Sequence, residues 1–148
     1  MKLFLRTAAI TLSMALAGPA AAALAVGSPA PDFSVQTIQG DATAPVQLSE
    51  LLEAGPVVIF FVPYIGASAA ECREFAANID AFRAAGATVI GMSRDPVEDL
   101  ARFSANECGG KIPMVSADPS LVNGFNVNDS ANFATRTTYV IAPSGEIA

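Results

Sequence analysis

Apolar residues along this chain fall into short runs, and segments of helical spacing separate those runs. Residues 57–62 are six apolar residues in a row, typical of a strand that is buried on both faces of a sheet. Residues 34–38 alternate between apolar and polar side chains, as a half-buried strand does. Three further strands are predicted downstream, at residues 87–92, 112–115 and 137–141.

The longest helical pattern covers residues 68–85 and ends at Gly86. Within it, four apolar side chains fall at a spacing that places them on one face of a helix, so they predict a buried stripe. They are Cys72, Phe75, Ile79 and Phe82. We therefore expect one long helix that packs this stripe against the sheet.

Shorter helices are predicted on either side of this one. One covers residues 48–52, and another covers residues 120–125. A third is expected to begin at Asp95, with that carboxylate as the cap and Pro96 in the first turn, and to run to about Asn106. Strands that alternate with helices indicate an α/β fold whose sheet is covered on both faces.

The first residues predict a targeting segment rather than part of the fold. Lys2 and Arg6 precede an apolar stretch, which ends at Gly18-Pro19 and a run of alanines. This three-part pattern is typical of a cleaved signal peptide, and an uncleaved membrane anchor is the alternative. We expect residues 1–23 to be a signal peptide, residues 24–148 to be one domain, and the mature chain not to insert stably in a membrane.

Composition excludes several classes of function. The chain has 148 residues, a net charge of −6 and no cluster of Lys or Arg, so nucleic acid is not an expected partner. Removal of residues 1–23 would leave six basic and 14 acidic residues, hence −8. The absence of histidine excludes His-dependent catalysis, and two cysteines are too few for an all-cysteine zinc site. No nucleotide-binding motif is present. We expect neither a metal nor a bound cofactor.

An ordered set of motifs resembles a known family. The set is A-P-D-F, V-V-I-F-F-V-P, E-x-x-E-F, N-I-D-A-F, V-I-G-M-S-R-D and R-T-T-Y-V-I-A-P-S-G-E-I. It resembles the peroxiredoxins of the AhpC/TSA type and is most similar to their Q-type, or bacterioferritin-comigratory, branch. The resemblance covers nearly all of residues 27–147. It implies a thioredoxin-like fold with a central mixed sheet, and it implies that the family's C-terminal strand and helix are missing from this sequence.

The resemblance also implies where the active site lies. In this family a cysteine thiolate at the first turn of a helix attacks the peroxide O–O bond, becomes a sulfenic acid and is resolved by a thiol. Pro63 and Arg136 match the proline and the arginine of the family's site. The peroxidatic position itself is occupied by Ser68, and Cys72 lies four residues later. Since a serine hydroxyl is a poor nucleophile without a general base, the family's chemistry does not carry over directly.

Three interpretations of the cysteines stay open at this point. Cys72 has taken over as the reactive thiol, or the chain keeps the fold without the chemistry, or Cys72 and Cys108 form a disulfide or a slow exchange pair. Cys108 precedes a Gly-Gly turn, where it is either a resolving thiol or an incidental residue, and the sequence favours the incidental role.

Two other residues also have competing interpretations. Ser68 and Glu71 have the spacing of a capping box, which we favour over a catalytic serine. Arg136 either lies in the active site, which the resemblance favours, or pairs with an acidic neighbour on the surface.

The resemblance implies a function and its partners. The expected activity is thiol-dependent reduction of hydrogen peroxide and organic hydroperoxides, with a thioredoxin-like protein or a small thiol as reductant and a homodimer as the assembly. The predicted signal peptide places the protein in the periplasm or outside the cell, where thiols are readily oxidised. The alternative is a catalytically inactive binding or regulatory protein with the same fold.

Overall fold

A computed structural model of the chain describes residues 22–129, 131 and 133–148. One mixed sheet of six strands has the order β2-β1-β5-β4-β3-β6. The strands are β1 (Ser34–Gln39), β2 (Ala42–Gln47), β3 (Val57–Phe61), β4 (Thr88–Ser93), β5 (Met114–Ser116) and β6 (Thr137–Ile141). The helices are α1 (Leu48–Ala54), α2 (Ala69–Ala77), α3 (Ile79–Ala84), α4 (Val97–Asn106) and α5 (Pro119–Gly124).

β3 lies inside the sheet and is buried on both faces, as its unbroken apolar sequence predicts. It pairs in parallel with β4 and antiparallel with β6. Alternate side chains enter two separate hydrophobic clusters, with Ile59 and Phe61 on one face and Phe60 and Val62 on the other. Because side chains alternate along a strand, only an unbroken apolar run can fill two cores at once.

Helices cover both faces, which confirms the predicted architecture. Leu48 of α1 and Val122 of α5 pack on the first face. Cys72 of α2, Ile79 of α3 and Leu100 of α4 pack on the second. Both cysteines therefore belong to one side of the sheet.

Gly91 lets the second face pack closely. A Cβ atom at this position of β4 would lie 2.6 Å from the ring of Phe60 and 2.5 Å from the sulfur of Met114. Any larger residue would push these two buried side chains out of place, because a protein core is packed as densely as a crystal.

The prediction of one helix over residues 68–85 is wrong, because the helix breaks at Asn78. The Asn78 side chain donates to the carbonyl of Glu74 at 2.8 Å, and its backbone N–H is shared between the carbonyls of Glu74 and Phe75. Such local bonds compete with regular helical ones. The predicted apolar stripe nevertheless stays together, since Phe75 and Phe82 pack against the same cluster on either side of the break.

Asp32 fixes the start of α1 from outside the helix. Its carboxylate accepts hydrogen bonds from the backbone N–H of Ser49, the Ser49 hydroxyl, the Gln47 amide and the Phe33 N–H. These bonds favour the charged form, so the pKa of Asp32 is lowered, above all by the bond from Gln47.

Residues at the two ends of the described chain pair with each other. The backbone N–H of Gly27 donates to the carbonyl of Ile147, and the N–H of Ile147 donates to the carbonyl of Ser28. The N–H of Ala148 donates to the carbonyl of Val140 and thereby closes the turn that follows β6. The predicted signal peptide lies almost entirely outside the described residues. Within them, no helix combines the length and hydrophobicity that crossing a bilayer requires.

Candidate active site

The two cysteines form a disulfide on the second face of the sheet. Cys72 lies in the second turn of α2, and Cys108 follows the end of α4. Their Cα atoms are 5.2 Å apart, within the range that a disulfide requires. Neither residue is exposed to solvent. Cys108 is therefore not the incidental residue that the sequence favoured, because tertiary packing of α2 against α4 brings it to Cys72.

An ion pair lies beside the disulfide on the protein surface. Arg73 and Glu107 each neighbour one of the two cysteines in sequence, and their side chains form a salt bridge. It joins the same two helices as the disulfide does. Its position follows directly from the Cys72–Cys108 pairing, which is why sequence reasoning did not find it.

Ser68 lies one helical turn before Cys72 and is almost fully buried. It occupies the N-cap position of α2, but its hydroxyl donates to the carbonyl of Tyr64 at 2.7 Å and makes no capping bond. A 3-10 turn over Ile65–Ala67 brings that carbonyl back over Ser68. The predicted capping box is therefore wrong in its hydrogen bonds, although the helix does begin after Ser68.

Arg136 directly precedes β6, and its side chain contacts the start of α2. Its guanidinium donates to the carbonyl of Ala67 at 3.3 Å and contacts the Ser68 hydroxyl at 3.5 Å. It also forms an ion pair with Glu71, the residue expected to complete the capping box. Arg136 thus pairs with an acidic neighbour and lies at the start of α2, and its active-site role stays a prediction. None of its described contacts reaches Cys72.

Pro63 follows β3 and contributes to a cavity of about 360 Å³ at the ends of β3 and β4. The rings of Tyr64 and Phe133 lie 6.0 Å apart at this cavity, and both residues are a little under half exposed. Among the described residues, those that line it are Pro63, Tyr64, Arg94, Asp95, Pro96, Ala131 and Phe133. The disulfide is not part of it.

Asp95 holds the loop that leads into the site. Its carboxylate accepts a hydrogen bond from the backbone N–H of Ile65 at 3.0 Å and another from the Ser93 hydroxyl. It makes no cap for α4, which begins at Val97 after Pro96, so the predicted capping role is wrong. The competing bond to Ile65 comes from a loop 30 residues away. The one signal in the sequence is its place just after a buried parallel strand, where α/β proteins put functional loops.

Among the described residues, no group of three or more Cys, Asp or Glu side chains is placed to hold a metal ion. The two sulfur atoms of the disulfide are able to undergo thiol–disulfide exchange.

Comparisons with known proteins agree with this geometry. The AhpC/TSA family model matches residues 26–148, and the chain belongs to that family. It is 31% identical over 101 residues to the peroxiredoxin Bcp of Xanthomonas campestris pv. campestris, a match that covers 62% of this chain and 62% of that protein. The chain therefore spans less than two thirds of the length of this relative, which resembles it as the Q-type motifs in the sequence do.

Solved structures show the same fold. The peroxidoxin BcpB of Mycobacterium tuberculosis superposes with a TM-score of 0.70 and 29% identity, over 82% of this chain and 81% of that one. AhpC of the same organism gives a TM-score of 0.74 at 22% identity, over 85% of each chain. The thioredoxin-like fold predicted from the sequence is thereby confirmed.

Proposed function

We propose that this protein is a thiol-dependent peroxidase that uses Cys72 and Cys108 as its redox pair. The observation that carries the proposal is their disulfide, which joins the second turn of α2 to the end of α4. Membership of the AhpC/TSA family supports the choice of peroxide as the oxidant. The disulfide is then the oxidised form that one catalytic cycle leaves behind.

The proposed cycle has three steps. The Cys72 thiolate attacks the terminal peroxide oxygen, the O–O bond breaks, and the departing alkoxide or hydroxide takes a proton, which leaves Cys72 as a sulfenic acid. The Cys108 thiol then attacks that sulfur, forms the disulfide and releases water. An external dithiol reduces the disulfide and is itself oxidised. Overall, two electrons pass from the reductant to the peroxide.

Arg136 and the start of α2 supply positive charge one turn before Cys72, not at its sulfur. A thiolate and a peroxide anion are both stabilised by a guanidinium and by the N-terminal end of a helix. Both features lie at Ser68, one turn before Cys72. Since both sulfur atoms are buried, peroxide reaches Cys72 only when α2 and the end of α4 separate.

The proposal is tested on the reduced chain with one equivalent of hydrogen peroxide. We expect Cys72 to be oxidised far faster than free cysteine, with one disulfide formed per peroxide consumed. In the Cys108→Ser variant the reaction should stop at the sulfenic acid, which a dimedone-type trap captures and mass spectrometry places on Cys72.

The Cys72→Ser variant is the matched control, because it keeps Cys108 and the rest of the site. Peroxide consumption should fall to the rate of free cysteine in this variant. Oxidation of wild-type Cys72 no faster than free cysteine would reject the peroxidase and leave the disulfide as a structural element.

The second candidate is a binding or regulatory protein without peroxidase activity. It is favoured by Ser68, a hydroxyl at the helix start where the family resemblance implies a thiol. In this case the disulfide only stabilises the fold, and reduced and oxidised protein would bind the same partner. Equal and slow peroxide reactions of wild type and Cys72→Ser would support this candidate.

The remaining parts of the proposal concern location, substrate range and reductant. Residues 1–23 are proposed to direct export to the periplasm or outside the cell, where a thioredoxin-like protein or a small thiol supplies electrons for the reduction of hydrogen peroxide and organic hydroperoxides. The pattern of two basic residues, an apolar stretch and a small-residue site supports export. Mass spectrometry of the expressed protein tests it, since cleavage removes the first 22 or 23 residues.

A further inference from the structure

Residues 108–112, here called the Cys108 segment, hold one half of the redox pair in place. Gly109 and Gly110 both have left-handed backbone angles, with φ of +58° and +65°, a conformation that favours glycine. A Cβ atom at either position would find no neighbour within 4 Å. The two glycines therefore contribute no side-chain packing. Cys108 and Ile112, at the ends of the segment, are buried in the apolar cluster of the second face, and hydrogen bonds hold the turn between them.

Ser104 makes two of those bonds, and the backbone of Phe103 makes another by accepting the N–H of Cys108 at 3.3 Å. The Ser104 hydroxyl, fully buried in α4, donates to the carbonyl of Ile112 at 2.8 Å and accepts the backbone N–H of Gly40 at 3.3 Å. Its carbonyl accepts the N–H of Gly110 at 2.9 Å. One residue thus ties the Cys108 segment to α4 and to the turn between β1 and β2.

Gln39 adds a bond from the other side. Its side-chain amide donates to the carbonyl of Gly110 at 2.7 Å, across 71 residues of sequence. Gln39, at the end of β1, therefore bonds the Cys108 segment directly, whereas Gly40 in the following turn bonds Ser104. None of these bonds involves sulfur, so they are available to the reduced protein as well as to the disulfide form.

We propose that Ser104 and Gln39 are positioning residues that keep the Cys108 thiol beside Cys72 in the reduced protein. The inference rests on the proposed role of these cysteines as a redox pair. Thiols held close together form a disulfide more readily, because their effective concentration is high. Loss of either bond lets the Cys108 segment move away and lowers that concentration.

The thiol–disulfide equilibrium with glutathione measures this effect directly. Two glutathione molecules reduce the protein disulfide to two thiols and become one glutathione disulfide, so electrons and protons balance. We would equilibrate the full chain in buffers of known glutathione ratio, stop exchange by alkylation and count the alkylated cysteines by mass spectrometry.

Ser104→Ala and Gln39→Ala are the two test variants. A typical intramolecular hydrogen bond changes an equilibrium by about twofold to tenfold. We expect Ser104→Ala to move the equilibrium toward the dithiol by about threefold to tenfold, and Gln39→Ala by about twofold to threefold. Gln39 lies on the surface, so its variant keeps the test valid if Ser104→Ala does not fold.

Each variant has a matched control on β1. Thr37→Val also removes a buried hydroxyl that donates to a carbonyl, that of Ala44 at 3.0 Å, but leaves the Cys108 segment untouched. Gln36→Ala removes an exposed glutamine three residues before Gln39. Urea unfolding of all four variants would show the general loss of stability of each.

If Ser104 and Gln39 position the Cys108 thiol, both test variants shift the glutathione equilibrium toward the dithiol. The two control variants leave that equilibrium unchanged. Equal shifts in Ser104→Ala and Thr37→Val, or no shift in either test variant, would overturn the inference. Because peroxide takes no part in this equilibrium, a failed peroxidase assay leaves the result interpretable.

Discussion

The first and second turns of α2 present two different chemical environments only four residues apart. At the first turn, Ser68 meets a guanidinium and an open helix end, and Arg136 remains 44% exposed. At the second turn, Cys72 lies in an apolar cluster with no solvent exposure, and its sulfur is bonded to Cys108. The charge lies at one turn and the sulfur at the other.

One helical turn therefore separates the sulfur from the groups that would stabilise a thiolate. The field of a helix N-terminus fades within the first turn, and an apolar environment disfavours a thiolate. A hydroxyl at the first turn gains little from the positive charge, because it does not ionise near neutral pH. In this chain the residue that is able to react and the surroundings that favour reaction are therefore in adjacent turns, and the largest predicted effects come from changing that arrangement.

Removal of the disulfide is expected to have the largest effect. It links residues 36 apart, and a loop of that length stabilises a folded chain by roughly 3–4 kcal/mol. Cys108→Ala should lower the free energy of unfolding in urea by about this amount. Chemically reduced wild type should have about the same free energy of unfolding as the variant. Unchanged stability in both would show that the disulfide does not stabilise the folded chain.

Moving the thiol to the first turn tests the comparison itself. In a Cys72→Ala/Cys108→Ala background, Ser68→Cys places a sulfur beside Arg136 at the start of α2. Its pKa should lie below the usual 8.5 or so of free cysteine, because the guanidinium and the start of the helix favour the thiolate. Roughly one pH unit, or tenfold in thiolate, is the smallest difference from free cysteine that we expect. Alkylation rates measured against pH give the value.

The contribution of Arg136 is isolated by adding Arg136→Gln to the Ser68→Cys protein. The thiol pKa should rise again, because the guanidinium no longer favours the thiolate. Equal pKa values with and without Arg136 would show that the helix alone sets the environment of the first turn.

The surface ion pair beside the disulfide should have a smaller effect. Arg73→Gln breaks the bridge to Glu107, and exposed pairs of this kind contribute less than about 1 kcal/mol. The loss of stability should be larger in the reduced protein, because the disulfide otherwise holds α2 to α4, and 0.5 M salt should erase it. Arg102→Gln is the control, since its pair with Asp99 lies within α4. A loss of equal size in both redox states would contradict this prediction.

The smallest effect is expected away from α2, at Asp32, and it disappears in acid. Because the pKa of Asp32 is lowered in the folded protein, its contribution to stability is present above the ordinary pKa and is lost as the pH falls below about 4. Asp32→Asn should therefore be less stable than wild type at pH 6 and approach it near pH 3. Urea unfolding at both pH values checks this, and a gap that widens in acid would contradict it.

Sequence periodicity predicted the centre of the fold better than its edges. The unbroken apolar run of β3 is compatible only with a strand that is buried on both faces. β2 escaped prediction because it is an edge strand with mostly exposed side chains and a proline at position 45, which edge strands tolerate. β5 begins at Met114 rather than at Ile112, and Pro113 has no N–H to donate to a neighbouring strand.

For the site, the sequence determined which chemistry is available. Two cysteines and no histidine leave thiols as the strongest nucleophiles in the chain. The ordered motifs implied a thioredoxin-like fold by resemblance.

Tertiary structure decided how the site residues are partnered. Cys72 meets Cys108, Arg136 meets Ser68 and Asp95 meets Ile65, and each pair is separated by at least 30 residues along the chain. Local periodicity gives no information about such distances, because they depend on how α2, α4 and β6 pack across one sheet. The same packing placed the sulfur in the apolar core and the positive charge at its rim.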